Sequence, residues 1–179
     1  FYGSNIISLF INSKAIEENL TDNSPGERWG AKFTNVVIGD NVTRIGSSCF
    51  KNHTSLSNIT LPDSIVSIGN EAFYGCNALQ GVIIPNNVTS LGKSAFYDCS
   101  GLRTMVIGSG VTSWGDYKIF SGCTGELIVN CNIRDEFSET GGSYTSSYTN
   151  YYSAFNGCKF TKVTIGNGAT SIGSKAFYY

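Results

Sequence analysis

Four cysteines recur at one place in a repeated pattern: Phe73-Tyr74-Gly75-Cys76, Phe96-Tyr97-Asp98-Cys99, Phe120-Ser121-Gly122-Cys123 and Phe155-Asn156-Gly157-Cys158. A row of thiols at one repeat position invites two chemical readings, a disulfide ladder and a metal-thiolate site. Neither fits well. A disulfide needs two Cβ atoms turned toward each other, whereas residues at one repeat position point the same way. The sequence has no C-x-x-C pair, so it carries no zinc signature. The reading that remains is a small buried hydrophobe at a place where a larger side chain would not stack. Cys49 replaces the alanine of its own unit and is expected to be buried too. Cys131 stands outside the repeat, and any bridge would involve it.

His53, the single histidine, occupies a position where other units have cysteine. A Ser-His-Asp arrangement or metal site built on it needs partners that the sequence does not advertise, and a structural role is the expectation. There is no G-x-S-x-G, no phosphate loop and no H-E-x-x-H. Spacing alone does not exclude a carboxylate pair, but Asp and Glu together number 13, most at corners or in irregular segments. The chain is therefore expected to be non-enzymatic, without metal or cofactor. Asn-x-Ser/Thr occurs at Asn19, Asn41, Asn52, Asn58 and Asn87. These asparagines would be modified in a eukaryotic secretory pathway and not in a bacterium.

Binding chemistry has two candidates. One is a segment in which Tyr144, Tyr148, Tyr151 and Tyr152 stand among Ser, Thr and Gly. Tyrosine in such company supplies rigid contact area with a polar tip, as in adaptable recognition loops. Packing against the rest of the chain, or disorder, would produce the same composition. The other candidate appears once the elements are placed.

The elements follow from a period. Gly46, Gly69, Gly92 and Gly115 fall 23 residues apart, as do Val42, Ile65, Val88 and Val111. Repetition at this length predicts a solenoid, because one unit cannot bury its apolar face without its neighbours. Each unit offers a short extended piece (Ile65–Ile68), a glycine, a helical or 3₁₀ turn (Asn70–Phe73), the cysteine, and a longer strand (Gly81–Ile84). A corner of Pro, Asp, Asn or Gly closes it. The glycine is expected in a conformation that a side chain would oppose. Alternation points Ile65, Ile68, Ala72, Phe73, Cys76, Leu79, Val82 and Ile84 inward. Pro62 and Pro85 end the longer strands, since proline has no N–H to donate.

Seven longer strands are expected, centred near Phe10, Val37, Thr60, Ile83, Val106, Ile128 and Thr164. Most of these centres are apolar, yet they alternate with the inward residues and so point outward. A solvated sheet face would alternate to polar residues. Stacked, they make a stripe of the kind that marks an interaction surface. Two other origins stay open: an irregular segment folded across the stripe, or β-branched residues kept for strand propensity.

The domain prediction is one elongated solenoid over residues 1–179, with irregular inserts at about 13–31 and 130–154. Ala15–Leu20 is a candidate short helix in the first. The second follows the fourth unit, where Trp114 replaces an aliphatic residue and the step from Phe96 to Phe120 lengthens to 24. Lys32–Gly39 recurs as Lys159–Gly166 at an offset of 127, each copy after an insert. Both ends fall inside a repeat, so a longer array is expected, with any signal or anchor outside these residues. Net charge is -1 and 14% of residues are charged, which leaves no basic field for nucleic acid or anionic lipid. No apolar run approaches a membrane span.

Ile68-Gly69, Ala72-Phe73, Cys76, Leu79, Val82 and Ile84-Pro85, and their copies in the other units, carry a resemblance. The unit V-T-S-I-G-x-x-A-F-x-x-C-x-x-L-x-x-V-x-I-P resembles the BspA-like, or Treponema pallidum type, leucine-rich repeats. That resemblance implies a right-handed, curved leucine-rich-repeat solenoid of short parallel β-strands and small helical turns. It also implies a secreted or cell-surface protein engaged in adhesion or protein–protein interaction with host matrix or other cells. His53, Trp114 and the two inserts depart from the pattern, and nothing about them carries over. The contact residues expected are Val37, Thr60, Ile83, Val106, Ile128 and Thr164 with Tyr144, Tyr148, Tyr151 and Tyr152. A spacer with no partner, or carbohydrate binding by the tyrosine-rich insert, are the alternatives.

Overall fold

The computed structural model describes residues 4–16, 31–115, 118–133, 137–138, 151–152, 155–173 and 176–177. Its strands, in chain order, are β1 (Ser4–Ile11), β2 (Ala31–Ile38), β3 (Arg44–Ile45), β4 (Asn58–Thr60), β5 (Ser67–Ile68), β6 (Gly81–Ile84) and β7 (Ser90–Leu91). Then come β8 (Thr104–Ile107), β9 (Ser113–Trp114), β10 (Thr124–Val129), β11 (Phe137–Ser138), β12 (Tyr151–Tyr152) and β13 (Lys159–Ile165). The longer strands form one seven-stranded parallel sheet in the order β1-β2-β4-β6-β8-β10-β13. The short ones form a four-stranded parallel sheet, β3-β5-β7-β9. Among the described residues, the four regular coils thus contribute one strand to each sheet, as the 23-residue period requires. Arg44, Ser67, Ser90 and Ser113 stand in one register line, one repeat apart.

The space between the sheets is filled by the inward rows. Ile65, Ile68, Ala72, Phe73, Cys76, Leu79, Val82 and Ile84 are all buried, each at most 3% exposed. Phenylalanines stack as a column through the body. Ring centroids are 5.3 Å apart for Phe50–Phe73, 5.0 Å for Phe73–Phe96, 6.1 Å for Phe96–Phe120 and 5.6 Å for Phe120–Phe155. Near-parallel rings at these distances gain contact energy beyond their burial. Pro62 and Pro85 follow the ends of β4 and β6, as their missing N–H demands.

Two expectations about the turns are corrected. Asn70–Phe73 is a turn and not a helix, because every second amide bonds the next coil, while Ala72 N–H between them donates to Gly69 O of its own. Glu71 N–H donates to Lys93 O, Phe73 N–H to Ala95 O and Gly75 N–H to Tyr97 O, each at 2.8 Å. The left-handed backbone needed to aim alternate amides this way falls on Ser48, Glu71 and Ser94, with φ of 57°, 53° and 51°. It does not fall on the repeat glycine. Gly69 is a glycine for another reason: a Cβ there would stand 2.6 Å from the backbone nitrogen of Ser47 in the preceding coil. Coil spacing excludes the side chain. In the first insert, the described residues hold a 3₁₀ turn at Lys14–Ile16, and the rest of the candidate helix lies outside them.

Candidate functional site, the outward face of the long-strand sheet

The thiol row is a packing device. Cys76, Cys99, Cys123 and Cys158 are free, and each S–H donates to a phenylalanine carbonyl of the preceding coil. The acceptors are Phe50 O, Phe73 O, Phe96 O and Phe120 O, at 3.0–3.1 Å. Burial pushes the Cys76 thiol well up. Cys99 is raised first by its hydrogen bond with Cys123, then by burial. Burial takes Cys131 to about 11 and Cys158 to about 12. Groups held as thiols are poor nucleophiles and poor metal ligands. Cys49 and Cys131 are likewise buried and in no disulfide. Among the described residues, no three His, Cys, Asp or Glu side chains gather as a metal site would require.

His53 packs its ring 3.9 Å from that of Phe33, tilted 46°. Burial lowers its pKa, against a smaller upward pull from the Phe33 carbonyl. Its Nε2 has no hydrogen-bond partner, so neither the hydroxyl nor the carboxylate of a triad reaches it there. The buried Nε1 of Trp114 is likewise without a partner. The Trp114 ring meets Phe120 and Phe155 edge-on, each at 6.2 Å. Lys51 and Glu71 pair with one another at 2.8 Å, beside the Tyr74 ring. None of these arrangements offers an activated nucleophile or a poised acid.

The outward stripe, by contrast, is assembled. Phe10 pairs with Val37, Val37 with Thr60, Ile83 with Val106, Val106 with Ile128 and Ile128 with Thr164. Phe10 is 65% exposed and Ile83 67%. Thr60 and Thr164 are exposed, and Val37, Val106 and Ile128 half-buried.

A second column, which periodicity did not single out, runs beside the first. Ser8, Asn35, Asn58, Gly81, Thr104, Glu126 and Lys162 follow one another in register. Its first members are small and uncharged. Asn35 Nδ2 donates to Ser8 Oγ at 3.3 Å. Glu126 and Lys162 pair with each other at 3.5 Å. The face is therefore half apolar, half neutral polar, with its charge gathered at one end.

The first column is broken at one place, between Thr60 and Ile83. β4 and β6 are in register at Asn58–Gly81 alone, whereas β6 and β8 are paired over four residues. Beside that opening lies a depression of about 440 Å³, walled by Thr60, Leu61, Ile83, Thr104 and Val106, with Gly81 among its lining. A glycine inside a strand pattern was the signal that could have located it.

Of the tyrosines, Tyr151 and Tyr152 form β12, which pairs antiparallel with Phe137 and Ser138 of β11. Tyr144 and Tyr148 lie outside the described residues.

A model of the BspA-type leucine-rich repeat region matches residues 29–148 and 149–179, in six copies. The chain belongs to the BspA-type leucine-rich repeat family. The fold of this BspA-type chain is similar to that of a leucine-rich repeat protein of T. pallidum. The TM-score is 0.59 at 21% identity, covering 96% of this chain and 68% of that one. It is also similar to the pneumococcal vaccine antigen PcpA, with a TM-score of 0.56 at 18% identity, covering 96% of this chain. The chain spans 42% of PcpA's length. No curated protein sequence matches it. At these identities the two structures establish the solenoid, and this chain's own face has to supply the functional argument.

Proposed function

We propose that the chain is a non-enzymatic binding module of a secreted or cell-surface protein. It holds a protein partner, on host matrix or another cell, against the outward face of the long-strand sheet. The observation that carries this reading is the exposure of Phe10 and Ile83, about two-thirds each, on one largely apolar row that is in register on either side of the β4–β6 opening. A large exposed aliphatic side chain on a sheet face costs solubility and adds nothing to the core, so its place in a row calls for a contact. Membership of a leucine-rich repeat family, and likeness to a protein described as a vaccine antigen, support the surface location.

Six strand spacings make the column about 30 Å long, and two columns make it about 10 Å wide. The resulting ~300 Å² is less than the roughly 800 Å² that each partner buries in a stable interface. The partner must therefore reach beyond the two columns or gain unusual energy within them. The test is binding to immobilised fibronectin, laminin, fibrinogen and collagen, with Ile83→Ser/Val106→Ser alongside. Lost burial of the two side chains is worth about 2–3 kcal/mol, roughly 30- to 150-fold in Kd. A double variant that keeps its circular dichroism spectrum and binds as wild type does would sink the proposal. Tyr148→Ala and Tyr151→Ala, tested on a glycan panel, check whether the insert contributes carbohydrate binding of its own.

A further inference from the structure

Gly81 has no structural reason to be glycine. A Cβ built on it meets a single neighbour, Thr104 O at 3.6 Å, which is ordinary contact. Its φ is not left-handed, unlike those of Gly75, Gly122, Gly125 and Gly157. The repeat glycines differ in kind: at Gly69 and Gly92 a Cβ would run into the backbone of the preceding coil. Every other position in the Gly81 column carries a side chain, Asn58 and Thr104 on either side of it. Glycine within a strand gives up packing and chain entropy, and it commonly marks a place where something else approaches closely. Here the missing side chain opens onto the 440 Å³ depression.

We infer that the Gly81 depression is the anchoring socket of the sheet face, and that it receives one uncharged aromatic or branched aliphatic side chain of a protein partner. This rests on the sheet-face reading above. The occupant's chemistry follows from the walls. Thr60, Leu61, Ile83, Thr104 and Val106 supply methyl and methylene groups with two hydroxyls, and no charge. The nearest charges in the column, Glu126 and Lys162, are spent on each other. A charged side chain entering the socket would lose its water and find no counter-charge. The occupant belongs to a macromolecule because the apolar row beside the socket extends to both sides of it, to Phe10 and to Thr164. A side chain buried at the centre of such a strip is the kind of contact that dominates a small interface.

The test uses random twelve-residue peptides displayed on phage and selected on the wild-type chain. Enriched peptides are then synthesised and titrated against wild type, Gly81→Thr, Gly81→Ser and Ile83→Ser/Val106→Ser. Gly81→Thr copies the Thr104 neighbour, fills the socket and adds a β-branched residue to a strand. Its Tm is expected to rise by about 2 °C while peptide affinity falls at least tenfold. Gly81→Ser, with a smaller side chain, should give an intermediate loss. The selected peptides should share one uncharged apolar residue whose replacement by alanine costs at least tenfold. Peptides that bind Gly81→Thr normally but fail on the double variant refute the socket and leave the face standing. Peptides indifferent to all the variants refute both. Charged anchors, or no enrichment, overturn the inference. So does a wild-type dimer in sedimentation that Gly81→Thr dissolves, which would make the occupant a second copy of the chain.

Discussion

Cys158 provides a quantitative check on the thiol row, because it is the least buried of the four. Burial lifts its pKa from the ordinary 9.0 to about 12. Near pH 8 the thiolate fraction of a group at 9 is about a tenth, and that of a group at 12 about 10⁻⁴, a ratio on the order of 10³. A more basic thiolate is also more nucleophilic. With a Brønsted slope near 0.45, three units return about a factor of 20. The net expectation is alkylation by iodoacetamide roughly 50-fold slower in the folded chain than in the unfolded one. This comes before any cost of breaking the 3.1 Å hydrogen bond to Phe120 O. Peptide mass spectrometry after timed quenching, with and without guanidinium, reads the ratio site by site. Its pH dependence separates this cause from simple occlusion. Below about pH 9 the folded and unfolded rates rise together and the ratio holds. Above it the unfolded thiol saturates while Cys158 goes on ionising, so the ratio must shrink. Steric shielding would leave it constant. Cys158 alkylated within a few-fold of the unfolded rate, or found in a disulfide, would refute the packing account of the row.

Three further outcomes follow from the same packing. Gly92→Ala puts a methyl group into the backbone of Gly69 and Asn70, so it should cost about 3 kcal/mol and lower Tm by about 10 °C in differential scanning calorimetry. Phe96→Ala removes the ring stacked between Phe73 and Phe120; a loss of about 3–5 kcal/mol in guanidinium unfolding is expected, and a value below about 1 would mean that the column is not a continuous core. The lowered pKa of His53 means that the unfolded chain binds its proton first, so stability is full above about pH 6.5 and falls as pH drops through the window below it. Each unit of lowering is worth about 1.4 kcal/mol, and His53→Phe, which keeps a ring against Phe33, should flatten that slope in urea titrations at successive pH values.

Much of this fold was legible because packing repeats. Val42, Ile65, Val88 and Val111 are all buried, and they were visible as a row because four coils impose one demand at one position. The turn backbone was not legible in the same way. Glycine at a repeat position has two causes, left-handed φ and a close neighbour, and Gly69 belongs to the second although the first was expected. The sequence carries nothing that separates them, because the obstructing atom is Ser47 N, in another coil. The helical expectation at Asn70–Phe73 failed for a related reason. Local propensity says little where every second amide is claimed by the neighbouring coil. The stripe was legible from alternation, whereas the Gly81 opening exists once and leaves no period, so its one sequence signal is a glycine inside a strand pattern.

The two kinds of glycine bear on where function can sit in a solenoid. Inward residues and coil-contact glycines are bound to their neighbours above and below, and a change in one coil must be answered in the next. The outward positions of a strand alternate with the inward ones, so they carry no such debt to the stack. Thr60, Ile83 and Val106 can differ from coil to coil while Ile59, Val82 and Met105, each one residue before them, stay buried. Strand propensity or an outside contact can make such a face apolar, but strand propensity does not leave one strand position without a side chain. Where a residue is indifferent to the core and unfavourable to the strand, its reason has to come from outside the chain. Gly81 meets both conditions, and Gly92, sealed against the preceding coil, meets neither.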